Sequence, residues 1–180
     1  MRFVFLTLGY HPDLIGGAYR YVAEVAERLG ARGHDVDVVC PNPGNGLAGE
    51  ETRRGVRLHR FPDGRHGLFW CNWRSANESA RRILKRVGGT VRDRVVVLAH
   101  AFLAPAVRGS GDPSIYLFTG PWACEYGLAQ SGAARGVFRR VLDAVIQRAM
   151  EAVERSALRR VRRVLTISRY YERMLPEWHG

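Results

Sequence analysis

The chain is 180 residues long and 46% hydrophobic, enough for one large domain or two small ones with a proper core. Its net charge of +11 and pI of about 10.5 rest on arginine, Lys85 being the only lysine, so an acidic partner such as nucleic acid, anionic lipid or a phosphorylated substrate is open and composition chooses none. Three scattered cysteines (Cys40, Cys71, Cys124) without a CxxC exclude a disulfide framework and a cysteine-rich zinc site, fit a reducing cytoplasm, and stand in a chain whose apolar runs are all too short to span a membrane.

Arg2 to Leu8 reads as a continuously apolar strand, of the kind a parallel sheet buries on both faces. The apolar run from Phe3 is too short for a signal peptide. Gly9 to Gly16 is a loop. Gly17 to Arg32 is a helix, with Ala18, Val22, Val25, Ala26 and Leu29 on one stripe and Arg20, Glu24, Glu27 and Arg28 opposite. Asp35 to Cys40 is a second strand. Pro41 to Glu51, rich in glycine and proline, is expected to be mobile, and Val56 to Phe61 is a third strand. The aromatic cluster of Phe69, Trp70 and Trp73 is expected to pack. Ser75 to Val87 is a helix, with Ser75 as its cap and Glu78 three residues on. Arg94 to His100 is a fourth strand, Ala101 to Val107 a short helix interrupted by Pro105, and Ser114 to Thr119 a fifth strand. The loop "GPWACEYGLAQSG" leads to a long helix over Ala134 to Arg160. Arg163 to Ile167 is a sixth strand, and Ser168 to Leu175 a last short helix.

Strands alternating with helices predict a Rossmann-like α/β fold, a doubly wound parallel sheet with helices on both faces, in a single domain over 1–180. Such sheets bind ligands at the carboxyl ends of their strands, where the strand order reverses. The strands here end at the loop carrying Gly16 and Gly17, at His100, at Thr119 and Gly120, and at Ser168, so these positions can converge on one cleft. Gly16 and Gly17 fit either a tight turn or the approach of a phosphate or hydroxyl to backbone N–H groups at a helix N-terminus. His100 is equally a packing residue or a functional one. Glu125 is either a cleft carboxylate or a solvated charge. The other histidines show no metal-ligand spacing.

From Arg135 to Arg163 there are nine arginines against Asp143, Glu151 and Glu154. The stripe Phe138, Val141, Leu142, Val145, Ala149 and Val153 makes this helix amphipathic, and core packing accounts for the stripe.

Taken together, four stretches resemble the N-terminal half of family-four retaining glycosyltransferases of GT-B fold: "YHPDLIGGAYRYVAEVAERLGARGHDVDVV", "VLAHAF", "FTGPWACE" and "ERSALRRVRRVLTISRYYERML". They stand in the family's order and span Met1 to Leu175. The resemblance implies an acceptor-binding domain, with the glycine loop in the interdomain cleft. It implies that His100 positions or hydrogen-bonds the reacting sugar, and that Gly16, Gly17, Thr119, Gly120, Glu125, Ser168 and Arg169 bind substrate. It implies no metal and no cofactor beyond a nucleotide-sugar as donor substrate. Thr119 stands where the family usually has histidine, and the donor domain's E-x7-E pattern is missing. The acceptor half of a two-domain hexosyltransferase, inactive without its donor domain, is therefore expected. Its acceptor would be a small molecule, a glycan or a lipid-linked sugar.

Two other classes remain beside it. One is a non-catalytic module recruiting anionic lipid or a protein partner through the basic helix, hence a cytoplasmic protein peripheral to a membrane. The other is nucleic-acid binding, which no helix-turn-helix, zinc or RNP-like signature supports, so none is expected. An interdomain face without its partner would also favour a homodimer.

Overall fold

The computed structural model describes residues 1–44, 46–62, 69–87, 93–112, 114–130 and 137–179, without the side chains of 69, 70, 128–130, 137, 138, 178 and 179. The readings placed on His66, Arg135 and the side chains of Phe69, Trp70, Phe138 and His179 lie outside the described residues.

In chain order the elements are β1 (Arg2–Leu6), α1 (Gly17–Ala31), β2 (Asp35–Asn42), β3 (Glu50–Arg53), β4 (Val56–Pro62), α2 (Phe69–Arg86), β5 (Arg94–Leu98), a 3₁₀ segment (Ala101–Val107), β6 (Ser114–Phe118), α3 (Trp122–Gln130), α4 (Val137–Leu158), β7 (Arg163–Thr166) and α5 (Arg169–His179). The seven strands form one sheet in the order β3-β4-β2-β1-β5-β6-β7. β1 lies at its centre, in parallel register with β2 (Leu6 opposite Val39) and with β5 (Leu6 opposite Leu98). This is a Rossmann-like doubly wound sheet whose order reverses at β1.

The two-residue period of β1 explains the layering. Val4 and Leu6 face a core shared with Val96, Leu98, Tyr116 and Phe118, covered by Ala80 and Leu84 of α2, Leu103 of the 3₁₀ segment and Ala157 of α4. Phe5 faces the other way, among Val36, Val38, Leu58 and Val97, under Val22, Ala23 and Ala26 of α1. Val4, Phe5 and Leu6 are fully buried, which is why this strand reads as an unbroken apolar run.

Several expectations need correction. The sheet is not wholly parallel, because β3 pairs antiparallel with β4 (Glu51 opposite Leu58). β3 begins in the last two residues of the stretch Pro41 to Glu51 expected to be mobile. That stretch is tied by Asn42 Nδ2 donating to the Leu47 carbonyl at 3.0 Å and by Arg60 Nη1 donating to the Ala48 carbonyl at 2.9 Å. Ser75 is not a cap: α2 starts at Phe69, and Glu78 pairs with Arg74 one turn back at 3.0 Å. "GPWACEYGLAQSG" holds a helix, α3, that packs on α4, with Tyr126 Oη donating to Asp143 Oδ1 at 3.0 Å. The stripe on α4 is only half used. Of its described members Ala149 and Val153 are half-buried, while Val141 and Val145 are 60% and 56% exposed and Leu142 also meets solvent; the helix buries Met150 and Ala157 instead. Glu154, one of the three acids of the arginine-rich stretch, is fully buried.

At one end of the sheet, β7 pairs with β6 alone among the described residues, and its Val164 and Leu165 are exposed. No described helix is long and apolar enough to cross a membrane.

Candidate functional site

The carboxyl ends of β1, β5, β6 and β7 are consecutive along one sheet edge. At about 4.8 Å per strand they span roughly 15 Å, the width of a small ligand. The structure thus puts the glycine loop, His100, Thr119–Gly120 and Ser168 in one row, with the order reversal between the first two.

The loop after β1 enters α1 at Gly16, whose backbone is extended and whose helix has no side-chain cap. A Cβ on Gly16 would sit 3.0 Å from the Tyr19 ring, so the residue is small because Tyr19 folds back over it. A Cβ on Gly17 would meet nothing within 4 Å. Gly17 therefore borders open space beside the positive end of a 15-residue helix whose first turn holds no acid. Two networks hold the loop. Thr7 Oγ1 donates to the Gly9 carbonyl at 3.0 Å. Asp13, on the far side, takes Arg53 at 2.9 Å and Arg60 at 2.6 Å, and both arginines also bind Glu51. Arg60 has a fully buried side chain, so the clamp is a desolvated one. Asp13 and Arg60 are missed by sequence reasoning, since an acid in a loop and an arginine in a strand forty-seven positions apart carry no local signal.

His100 lies just past β5 and caps the 3₁₀ segment: its Nδ1 accepts the Phe102 N–H at 3.1 Å. Its ring meets Trp122 edge-on at 5.0 Å between centroids. Burial lowers its pKa from 6.5 to about 4, so the imidazole is neutral at ordinary pH. With Nδ1 used as an acceptor, the single ring proton belongs on Nε2, which is then a donor. Trp122 stands in the stretch expected to be a loop. It begins α3 and also meets Phe102 at 5.8 Å.

Gly120 is buried, and a Cβ there would be 2.6 Å from Glu125 Oε1 and 3.4 Å from Tyr171 Oη. The Glu125 carboxylate is thus folded back from the first turn of α3 against the Gly120 backbone, and burial raises its pKa. Ser168 Oγ accepts the Tyr171 N–H at 3.3 Å, so its hydroxyl caps α5. Arg169 is exposed at the start of α5 and is not drawn into these contacts. Thr119 lies half-buried between β6 and Gly120. Beneath this edge, Glu154 accepts from Tyr116 Oη at 3.1 Å and from the Trp122 N–H at 3.4 Å. Burial, aided by the charges of Glu125 and Glu151, raises its pKa to about 7.

The edge is chemically a row of neutral donors (helix N–H groups, an imidazole N–H, a hydroxyl) with one carboxylate. Such a row suits polyhydroxyl and phosphate groups. Among the described residues no three His, Cys, Asp or Glu side chains gather as metal ligands.

The family model described as Glycosyltransferase Family 4 matches residues 15–180. The chain belongs to glycosyltransferase family 4. Among solved structures, this family-4 domain is similar to sucrose-phosphate synthase from Thermosynechococcus elongatus, with a TM-score of 0.74 and 15% identity, over 99% of this chain and 45% of that one. The domain thus spans less than half the length of that enzyme, and the likeness shows half of a GT-B fold. A UGT transferase from Siraitia grosvenorii, solved with UDP, gives a TM-score of 0.40 at 16% identity, over 72% of this chain and 32% of that one, too low to bear on the fold. No curated protein matches the domain.

Proposed function

We propose that this family-4 domain binds the hydroxyl acceptor of a retaining sugar transfer from a nucleotide-sugar, with a second, donor-binding half completing the cleft. The observation that carries this is the reversal point of the sheet, flanked by the open backbone at Gly17 on one side and neutral His100 on the other. Gly16 and Gly17 keep side chains out of the cleft and present N–H groups to phosphate or hydroxyl. His100 Nε2 donates a hydrogen bond that orients the reacting sugar without taking a charge. Thr119, Gly120 and Glu125 form the adjoining wall, and Ser168 and Arg169 its end. No protein nucleophile is assigned. Catalysis needs both halves closed on one another, so the domain alone transfers nothing.

The test has two readouts. Amide shifts induced by a panel of monosaccharides and sugar phosphates are expected at Gly16, Gly17, Phe102 and Gly120; shifts confined to the opposite sheet edge would refute the placement. Radiolabelled sugar transfer by the domain alone is expected to be absent, and its detection would overturn the half-site reading.

One observation favours a second reading, in which the domain rests on an anionic membrane. Val141, Leu142 and Val145 are exposed beside exposed Arg139, Arg140 and Arg148, the composition of an interfacial helix. Sedimentation with anionic but not neutral vesicles is expected on this reading, and equal binding to both counts against it.

A further inference from the structure

The opposite edge of the sheet carries a different kind of surface. A cavity of about 310 Å³ opens there between the 3₁₀ segment, the start of β6 and the end of α4. Leu98, Ala157 and Val161 form its apolar floor, and Arg108, Arg160, Arg162 and Ser110 stand around it. The Arg162 N–H donates to the Ser114 carbonyl at 2.9 Å, which fixes this rim to the first residue of β6, a strand's length from Thr119.

The charge around the cavity is unbalanced. Elsewhere Arg20, Arg28, Arg53, Arg57, Arg74 and Arg86 each have a carboxylate. Arg108, Arg160 and Arg162 have no ion pair among the described residues. The one acid on the wall, Asp112, has both oxygens taken by Arg94 at 2.8 and 2.7 Å, and Arg94 in turn donates to the Leu84 and Val87 carbonyls. Asp112 is therefore already neutralised from inside. Ser110 Oγ accepts the Asp112 N–H at 3.2 Å, which leaves its own O–H able to donate. Three like charges around a concavity with an apolar floor repel one another, and the low-dielectric wall focuses their field on the space between them. An anion placed there relieves that repulsion, and guanidinium groups match phosphate oxygens in geometry as well as charge.

A second cavity of about 320 Å³ shares Ala104, Arg108 and Arg160 with the first and continues to Trp73 and Pro105. Trp73 is fixed there by its Nε1–H donating to the Phe102 carbonyl at 2.8 Å. The cationic cavity thus opens onto an aromatic and apolar shelf.

We propose that this double cavity is a binding site for a phosphate-bearing ligand, its phosphate held by Arg108, Arg160 and Arg162 and its apolar part lying toward Trp73 and Pro105. The site lies toward the opposite edge of the sheet from His100 and stands whether or not the other edge transfers sugar. A soluble phosphomonoester and a lipid headgroup share this chemistry.

Phenyl phosphate, titrated calorimetrically into the full chain, is the probe. It is expected to bind with an affinity that falls with added salt. The triple variant Arg108→Gln/Arg160→Gln/Arg162→Gln is expected to weaken it by roughly tenfold or more. A control variant, Arg28→Gln, changes a distant exposed arginine and is expected to bind as the parent does. Vesicles of phosphatidylcholine with and without phosphatidic acid separate the two sources. Loss of phosphatidic-acid binding in the triple variant, without phenyl phosphate binding in the parent, assigns the site to a lipid headgroup. Absence of binding to both probes, or equal binding by parent and triple variant, overturns the proposal. All three positions are exposed, and an unchanged melting temperature shows that the variant is folded.

Discussion

Replacing Glu154 with glutamine isolates the free energy of a single buried carboxyl. Its pKa rises from 4.5 to about 7 because burial penalises the charged form more than Tyr116 and the Trp122 N–H favour it. A carboxyl whose folded pKa exceeds its unfolded value binds more protons in the folded state, so stability falls as pH rises between the two values. From that shift, ionisation of Glu154 costs about 3 kcal/mol at pH 8 and about 1 kcal/mol at pH 5. Glutamine has nearly the same shape, its Oε1 accepts the same two hydrogen bonds, and it does not titrate. Any penalty from its buried amide N–H groups is the same at every pH. The difference in stability between Glu154→Gln and the parent should therefore move in the variant's favour by about 2 kcal/mol between pH 5 and pH 8. In a domain of this size that is roughly 4–8 °C in melting temperature. Urea unfolding of both proteins at pH 5, 6, 7 and 8 measures it. A difference that stays flat over this range, or moves the other way, refutes the assignment of a protonated Glu154 beneath Trp122.

The remaining expectations follow from single contacts. Arg60→Ala removes a fully buried cation from Asp13 and Glu51, leaving both to Arg53 alone, and should cost about 1.5–3 kcal/mol in urea unfolding; a loss below about 1 kcal/mol would mean the clamp is not desolvated. Gly17→Ala adds a methyl group in open space at the first helical residue and should stabilise by about 0.4–1 kcal/mol while weakening binding at the cleft, so a variant that binds unchanged would remove Gly17 from the cleft. The His100 ring protons should titrate near pH 4 by NMR, and stability that depends on His100 should fade as pH drops from about 6.5 toward 4, because the unfolded ring takes up its proton first. A midpoint above 6 would show the ring is more solvated than its packing against Trp122 implies.

What the sequence could reveal follows from where the physics is local. β1 announces itself because both faces are buried and every residue from Phe3 to Leu6 must be apolar. α1 announces itself because one stripe meets β2 and β4 while the other meets water. β3 is invisible by the same logic. "EETR" has no apolar alternation, and its ion pairs run from Glu51 to Arg60 and from Arg53 to Asp13, none of which a linear pattern displays. α3 is hidden because "WACEYGLAQ" mixes aromatic, small and polar residues around its whole circumference. Its environment also differs on every side: Trp122 against His100, Gly120 against Glu125, Tyr126 on Asp143. The strand ends that form the candidate edge were legible, because a parallel sheet puts them in one row. The states of their side chains were not. A His at a strand end does not reveal that Trp122 will bury it, and an acid on an arginine-rich helix does not reveal that it will point inward.

The exposed edge at β7 bears on how the molecule behaves in a crowded solution. An edge strand is a template for another strand, and among the described residues β7 has no neighbour on its outer side, where Val164 and Leu165 make it adhesive. Arg159, Arg160, Arg162 and Arg163 cluster at its start, so two copies approaching edge to edge would bring these clusters together. Exposed charges repel over about 10 Å at 0.1 M salt and only about 3 Å at 1 M. Colloidal stability is thus ionic-strength dependent: high salt, or a polyanion that coats the arginines, removes the guard and lets copies zip into continuous sheets.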